Sequence, residues 1–379
     1  MVRRLYHKYL DSSPALQRIK LIRRRFRAAY RVLINNKEEL DSYERAFERH
    51  KSRYDLTPDE LHNARKHGFY PRSYLIYDFK KWGMAQFLAE RDFHKLDFRE
   101  RGLSPATIDK RNLPLLLQNN AHYLPSLNIA IDKGRVQYII ENGSYQEGDF
   151  DLEELLQSYL KKYAKLIVKP ISLCGGRGIF TIANTISEDT IKRIEKEGNA
   201  IINNVLINEE YAYRINPSSL NTIRVIFFKT KKGVLKPISM VHRFGSTANT
   251  CVDNTSAGGV VAGVDIETGG LKHAYTLERK RNDLDTHPLT REKINGLIIP
   301  DWSSKKRAID DLLQEINYLE YGGLDVAFTT EGFKIIEINK KPDFQGIQHL
   351  APALINEEFV EFLRLRGFQK PNAIQPEKE

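Results

Sequence analysis

Hydrophobic positions change their spacing part-way along the chain. Before about residue 100 they recur at three- and four-residue steps, and from about residue 113 they fall in short runs divided by turn formers. The first pattern predicts helices and the second predicts strands. Leu127–Ile131 and Val136–Ile140 flank Asp132-Lys133-Gly134-Arg135 and predict a hairpin. Residues 151–164 predict a helix and Leu166–Val168 a short buried strand, with Ile179–Ile182 as its partner across a glycine-rich run. A charged helix over 188–197 and strands at Ala200–Ile207 and Thr222–Lys229 follow. Further on, Gly323 to Phe328 predicts a strand, Glu331-Gly332 a turn, and Phe333 to Asn339 the returning strand. Alternate residues of a strand share a face. Glu337 and Asn339 therefore project together, Ile336 and Ile338 point into the core, and an antiparallel neighbour can bring Asp325 beside the polar pair.

Near the start, Leu16, Ile19, Ile22, Phe26, Ala29 or Tyr30, and Leu33 form an apolar stripe, with arginines in most positions between them. This is the pattern of a basic amphipathic helix. It suits an anionic membrane surface or a lipid-linked acidic glycan, and equally a stripe packed on the next domain. Later, Thr57-Pro58-Asp59-Glu60 reads as a helix N-cap followed by Pro and acids in the first turn. The polar residues after Pro371 predict a disordered tail.

Charge sharpens this division. Residues 1–37 hold eleven Lys and Arg against the single acid Asp11, a balance of +10 that equals the net charge of all 379 residues. The remainder is neutral, so the global basicity says nothing about the catalytic part. No base-reading module accompanies the basic segment, and nucleic acid is a poor expectation. Cys174 and Cys251 are the only cysteines, which excludes a disulfide framework and a four-cysteine zinc site and suits a reducing cytoplasm. No apolar run has membrane-spanning length, so the expected location is cytoplasmic, with peripheral attachment at the inner face of the membrane through residues 1–37.

Two sets of residues carry chemistry. Asp325, Glu337 and Asn339 offer two carboxylates and an amide oxygen, a hard donor set of the kind Mg²⁺ accepts when it also keeps phosphate oxygens. Lys169, at the end of an apolar strand, precedes the run Cys174-Gly175-Gly176-Arg177-Gly178, whose backbone N–H groups could turn towards an anion. The run lacks the Gly-Lys-Ser/Thr of a Walker loop and the Gly-x-Gly-x-x-Gly of a dinucleotide fold.

Taken with Asn221-Thr222-Ile223-Arg224, these motifs resemble the ATP-grasp superfamily. Asn254 with Gly258-Gly259, Val264-Asp265, Thr268-Gly269, His287-Pro288, Ile299-Pro300-Asp301-Trp302 and Gly323-Leu324-Asp325 narrow the resemblance to its sugar-transfer-associated family, over roughly residues 80–355. The resemblance implies an α+β fold in which two subdomains clasp ATP, preceded by the basic helical region. The expected boundaries are 1–79 for that region, 80–215 and 216–370 for the two subdomains, and 371–379 for the tail.

It also implies roles. Mg²⁺ would lie on Asp325, Glu337 and Asn339, Arg224 would face the transferring phosphoryl group, and Lys169 with Gly175, Gly176, Arg177 and Gly178 would hold the phosphates of ATP. Ile207 would sit in the adenine hinge, and Glu209 or Glu210 would meet the ribose. His242, Arg243, Asn254, Asp343, Gln345 and Gln348 would line the acceptor cleft. The implied activity is a carboxylate-amine ligase that forms an amide through an acylphosphate, on a uronic-acid-type sugar or other precursor of surface polysaccharide. The alternatives are a phosphotransferase acting on a sugar hydroxyl, and a non-catalytic interaction protein. One departure is visible. Such enzymes commonly carry a further lysine well before the Lys169 position, where this chain reads Leu117-Gln118-Asn119-Asn120-Ala121. Lys133 or a residue of the helical region is the expected substitute.

Overall fold

A computed structural model describes residues 40–96, 109–171, 178–246, 258–339, 342 and 348–369. They divide into two compact units, one of residues 40–74 with 89–96 and the other of residues 75–88 with the remainder. No helix among the described residues is long and apolar enough to cross a membrane.

The smaller unit is helical, as the spacing predicts. One helix covers residues 40–53, and Pro58–His67 follows. Thr57 caps this second helix in a reciprocal box with Glu60, and Gly68 ends it at φ 82°, a left-handed conformation that costs glycine little. Tyr43, Phe47 and Phe69 fill the interior. Glu90 is buried there and accepts hydrogen bonds from the Tyr70 backbone N–H and the Ser73 hydroxyl.

The larger unit holds two antiparallel sheets. The first has the order β3-β2-β1-β6-β4-β5, from β1 Leu127–Asp132, β2 Arg135–Glu141, β3 Ser144–Gln146, β4 Lys165–Pro170, β5 Phe180–Ala183 and β6 Ala200–Asn204. Lys133 and Gly134 join β1 to β2 with φ of 49° and 79°, the two positive values a type I′ turn requires. Helices Leu152–Tyr163 and Glu188–Glu197 lay Leu156, Leu160 and Ile194 on one face of this sheet, against Ile129, Leu166 and Ile202.

The second sheet has the order β11-β10-β9-β8-β7-β12-β13. Its strands are β7 Ile223–Lys229, β8 Leu235–Phe244, β9 Val260–Val264, β10 Leu271–Leu277, β11 Arg281–Asp283, β12 Tyr321–Thr329 and β13 Gly332–Asn339. Helix Trp302–Glu315 contributes Ile309, Leu312 and Leu313 to a core that includes Val225, Leu324 and Ile338. The predicted strand Ala200–Ile207 stops early, at Asn204. The chain then crosses to the second sheet, where Asn208 bridges Thr329. Glu331, in the β12–β13 turn, ties the two sheets by accepting from Asn204 Nδ2 at 2.9 Å and Ser126 Oγ at 2.8 Å.

One predicted orientation is corrected. A bulge shifts the register from Asp325↔Glu337 to Val326↔Ile335, leaving Ile336 without an opposite residue. Ile335 and Ile338 therefore enter the core, and Ile336 is only partly buried.

Candidate active site

Antiparallel register sets Glu337 of β13, Asp325 of β12 and Arg224 of β7 in one row across the second sheet. Neighbouring strands lie about 4.8 Å apart, so the three side chains crowd one face. Asp325 is 5% exposed. Nε and Nη2 of Arg224 both meet its carboxylate, the latter at 2.9 Å, and Nη2 of Arg243 reaches the same carboxylate at 3.0 Å. Thr222 holds Arg243 from the other side, with Oγ1 accepting from Nε at 3.1 Å. Burial by itself would raise the Asp325 pKa, but the two guanidinium groups win and hold its carboxyl well below the usual carboxylate range.

Two lysines join them, Lys110 from the turn before helix Asn112–Leu116 and Lys169 from the first sheet. Lys110 places Nζ 3.6 Å from Glu337. Its neighbour Arg111 is the anchor that fixes this direction: Nη1 bonds Asp132 at 2.7 Å and the Ile131 carbonyl at 3.1 Å, Nη2 bonds Asp109 at 2.7 Å, and the Tyr138 hydroxyl donates to the Arg111 carbonyl. Lys169, in β4, makes no ion pair within 4 Å among the described residues. Burial, and then the nearby Lys110 charge, push its ammonium down to about 8, with Glu337 acting in the opposite sense. Four cations thus surround two carboxylates among the described residues.

Three oxygen-bearing side chains suited to a hard cation share this face. Among the described residues Glu337 is held only by the long contact to Lys110, and Asn339 has a buried Nδ2 with no partner, so its amide is not locked by them. Asp325 is more constrained, because the arginines occupy three of its roughly four lone-pair positions. The set fits one divalent cation resting on Glu337 and Asn339, with Asp325 sharing a remaining position. No cluster of three His, Cys, Asp or Glu replaces it among the described residues.

At the crossing between the sheets, Ile207 is exposed, and its carbonyl accepts from Thr330 N at 2.9 Å. Glu209 donates its backbone N–H to the Phe328 carbonyl, and its carboxylate lies 2.9 Å from Lys305 Nζ. Glu210 is exposed at the start of helix Glu210–Ile215. Asn221 braces the entry to β7, with its amide donating to the Ala212 and Asn216 carbonyls at 2.8 Å. Gly178 turns at φ 74° before β5. Gly175, Gly176, Arg177, Asn254, Asp343, Gln345, residues 1–37 and the tail 371–379 lie outside the described residues.

Two expected acceptor contacts are corrected. His242 is fully buried on the opposite face of β8 from Arg243, with Nε2 3.0 Å from the Tyr211 hydroxyl and its ring stacked on Phe244. Burial pushes its pKa down to about 3, so it is a neutral core residue. Gln348 is 1% exposed and clamps backbone instead: Oε1 accepts from Leu88 N at 2.7 Å and Ala353 N at 3.2 Å, while Nε2 donates to the Leu88 carbonyl. Lys133 lies at the hairpin tip, where its backbone N–H bonds Asn199. The extra lysine at the cluster is Lys110, seven residues before Leu117, in a stretch with no periodicity to mark it. Lys305 was equally unmarked, being one of several charges on helix Trp302–Glu315.

A family model described as sugar-transfer associated ATP-grasp matches residues 95–357. No curated protein matches the sequence. Among solved structures, the chain is similar to the ATP-grasp ligase PsnB complexed with a phosphomimetic variant of minimal precursor, Mg and ADP, at 13% identity and TM-score 0.37 over 70% of this chain and 61% of that one. It is also similar to D-alanine–D-alanine ligase from Bacillus anthracis, at 13% identity and TM-score 0.38 over 70% of each chain. D-cycloserine synthetase DcsG aligns at 14% identity and TM-score 0.39, over 70% of this chain and 72% of that one. The chain thus spans less than two thirds of PsnB.

Proposed function

Because this chain belongs to the sugar-transfer associated ATP-grasp family, we propose that it is an ATP- and Mg²⁺-dependent ligase joining a carboxylate to an amine. The carboxylate would belong to a uronic-acid-type sugar or another precursor of surface polysaccharide. The observation that supports this reading best is the convergence of Lys169 from the first sheet and Lys110 from the turn before helix Asn112–Leu116 with Arg224 and Arg243 from the second sheet around Asp325 and Glu337. Such a surplus of positive charge suits a triphosphate, whose approach to an anionic acceptor is otherwise opposed by repulsion.

Each residue then has a physical task. Lys110 and Lys169 would neutralise phosphate oxygens at the edge nearest β13. Arg224, fixed side-on by Asp325, would present a planar fork of donors to the phosphoryl group in transfer, a geometry lysine cannot offer. Glu337 and Asn339 would hold Mg²⁺, which when bound supplies Lewis-acid neutralisation of phosphate oxygens. Ile207 and Glu209 would flank the nucleoside, with Lys305 fixing the Glu209 carboxylate. The charge of residues 1–37 would favour an anionic lipid surface by about 1 kcal/mol for each basic residue near it.

Trapping tests the chemistry. The purified protein, incubated with Mg·ATP, a panel of uronic acids and hydroxylamine, should release ADP and form a hydroxamate, because hydroxylamine intercepts an acylphosphate. A phosphorylated sugar formed without any amine would overturn the ligase reading.

A further inference from the structure

We propose that Asp132, at the end of β1, is a positioning residue for nucleotide binding that acts through Arg111 on Lys110. This deepens the ligase reading and rests on it. Lys110 has no strand or helix to hold it, because it lies in the turn before helix Asn112–Leu116. Its Nζ is 3.6 Å from Glu337, too far for a hydrogen bond, and an ammonium on a four-carbon stem does not fix its own direction. The turn must aim it.

One set of contacts gives that turn its shape. The Asp109 carboxylate accepts from the Arg111 backbone N–H at 2.9 Å, and the Asp109 carbonyl accepts from Asn112 N at 3.0 Å, which closes the chain around Lys110. Arg111 returns to the same carboxylate through Nη2 at 2.7 Å and Nε at 3.1 Å. A second set gives the turn its place. Arg111 Nη1 bonds Asp132 at 2.7 Å and the Ile131 carbonyl at 3.1 Å, while the buried Tyr138 hydroxyl donates to the Arg111 carbonyl. A single guanidinium therefore joins the lysine turn to the β1–β2 hairpin.

The hairpin is braced to receive it. Its tip is tied to the chain before β6, where Lys133 N bonds Asn199 and Gly134 N bonds the Gly198 carbonyl. The β1–β2 register shifts between Ala130 and Ile131, leaving Gln137 without an opposite residue, so a bulge lies where Arg111 docks. Asp132 and Asp109 differ in what they hold. Loss of Asp109 would open the turn, whereas loss of Asp132 leaves the turn closed and Arg111 still paired. The Asp132 side chain is also 40% exposed, so its removal strands no buried charge. What goes is direction: Lys110 keeps its charge, and a bound phosphate must supply the order that the hairpin supplied before.

A double-mutant cycle, read by calorimetric titration with Mg·AMP-PNP, tests this. Asp132→Ala should weaken binding about fivefold, with Asp132→Asn, which keeps an acceptor oxygen, in between. On a Lys110→Met background the same substitution should change affinity less than about twofold, because the charge it aims is already gone. A contact that only stabilised the fold would act alike in both backgrounds, and equal effects overturn the proposal. So does unchanged affinity in Asp132→Ala where Lys110→Met binds weakly. Tyr138→Phe, which removes another hold on Arg111, should show the same dependence on Lys110 and serves if Asp132→Ala does not fold. Unchanged affinity in Lys110→Met also overturns the proposal, since Arg111 then has nothing to aim. A wild type that binds no nucleotide would instead remove the ligase reading beneath it.

Discussion

Arg224 and Asp325 are direct cross-strand neighbours on β7 and β12, and the guanidinium grips the carboxylate through both Nε and Nη2. With Arg243 on the same carboxylate, removal of Asp325 would take from two largely buried cations the carboxylate they share. Asp325→Ala should cost about 3–5 kcal/mol of stability at neutral pH, as when a buried pair loses one partner. The pH dependence has a definite sign. The folded-state pKa of Asp325 is depressed, so its contribution is present above the unfolded value near 3.9 and is lost as pH falls through the folded value. Urea titrations across pH 2–7 should show a shallower acid limb in Asp325→Asn than in the wild type. An identical limb would contradict this.

Lys169 gives a pH signature of the same sign in an alkaline window. With its ammonium pushed down to about 8, the unfolded chain binds more protons between about pH 8 and the unfolded lysine value near 10.4, so stability should rise with pH in that window. Nucleotide affinity should fall over the same window if the Lys169 charge meets phosphate as proposed. Lys110→Met removes a like charge and should move the midpoint of that fall to higher pH. Calorimetric affinity at pH 7, 8 and 9 reads the shift.

Gly323 is where the backbone leaves room for the arginine. A Cβ there would lie 2.8 Å from Pro342 Cβ and 3.1 Å from Arg224 Cδ. Gly323→Ala should destabilise by about 1–3 kcal/mol and lower kcat more than tenfold, because overpacking displaces Arg224. Thermal unfolding and single-turnover assays measure the two effects.

How far the sequence reaches is clear from these residues. Strand alternation already sets Asp325, Glu337 and Asn339 on one face, and the register bears that out. The same alternation misplaces Ile336, because a bulge adds a residue without changing composition. Lys110 escapes because its position depends on Arg111 reaching Asp132 at the end of β1, a tertiary contact with no periodic trace. His242 and Gln348 mislead for another reason. A polar residue beside a site looks functional in sequence, and only burial shows that each is packed within the fold, His242 against Tyr211 and Gln348 against backbone.

Gln348 is a direct check on that distinction. Its three hydrogen bonds to the backbone of Leu88 and Ala353 are buried, and Gln348→Ala should cost about 1–3 kcal/mol. The KM values for nucleotide and acceptor should remain within twofold in the folded variant. A large change in acceptor KM without a fall in melting temperature would restore it to the substrate cleft.

The central claim is that cations from both sheets form one triphosphate site, and calorimetric titration with Mg·AMP-PNP tests it most directly. Wild-type protein should bind one equivalent per chain. Lys110→Met and Lys169→Met should each weaken binding at least tenfold, and so should Arg224→Gln from the second sheet. Absence of saturable binding in the wild type, or unchanged affinity in these variants, would contradict the account.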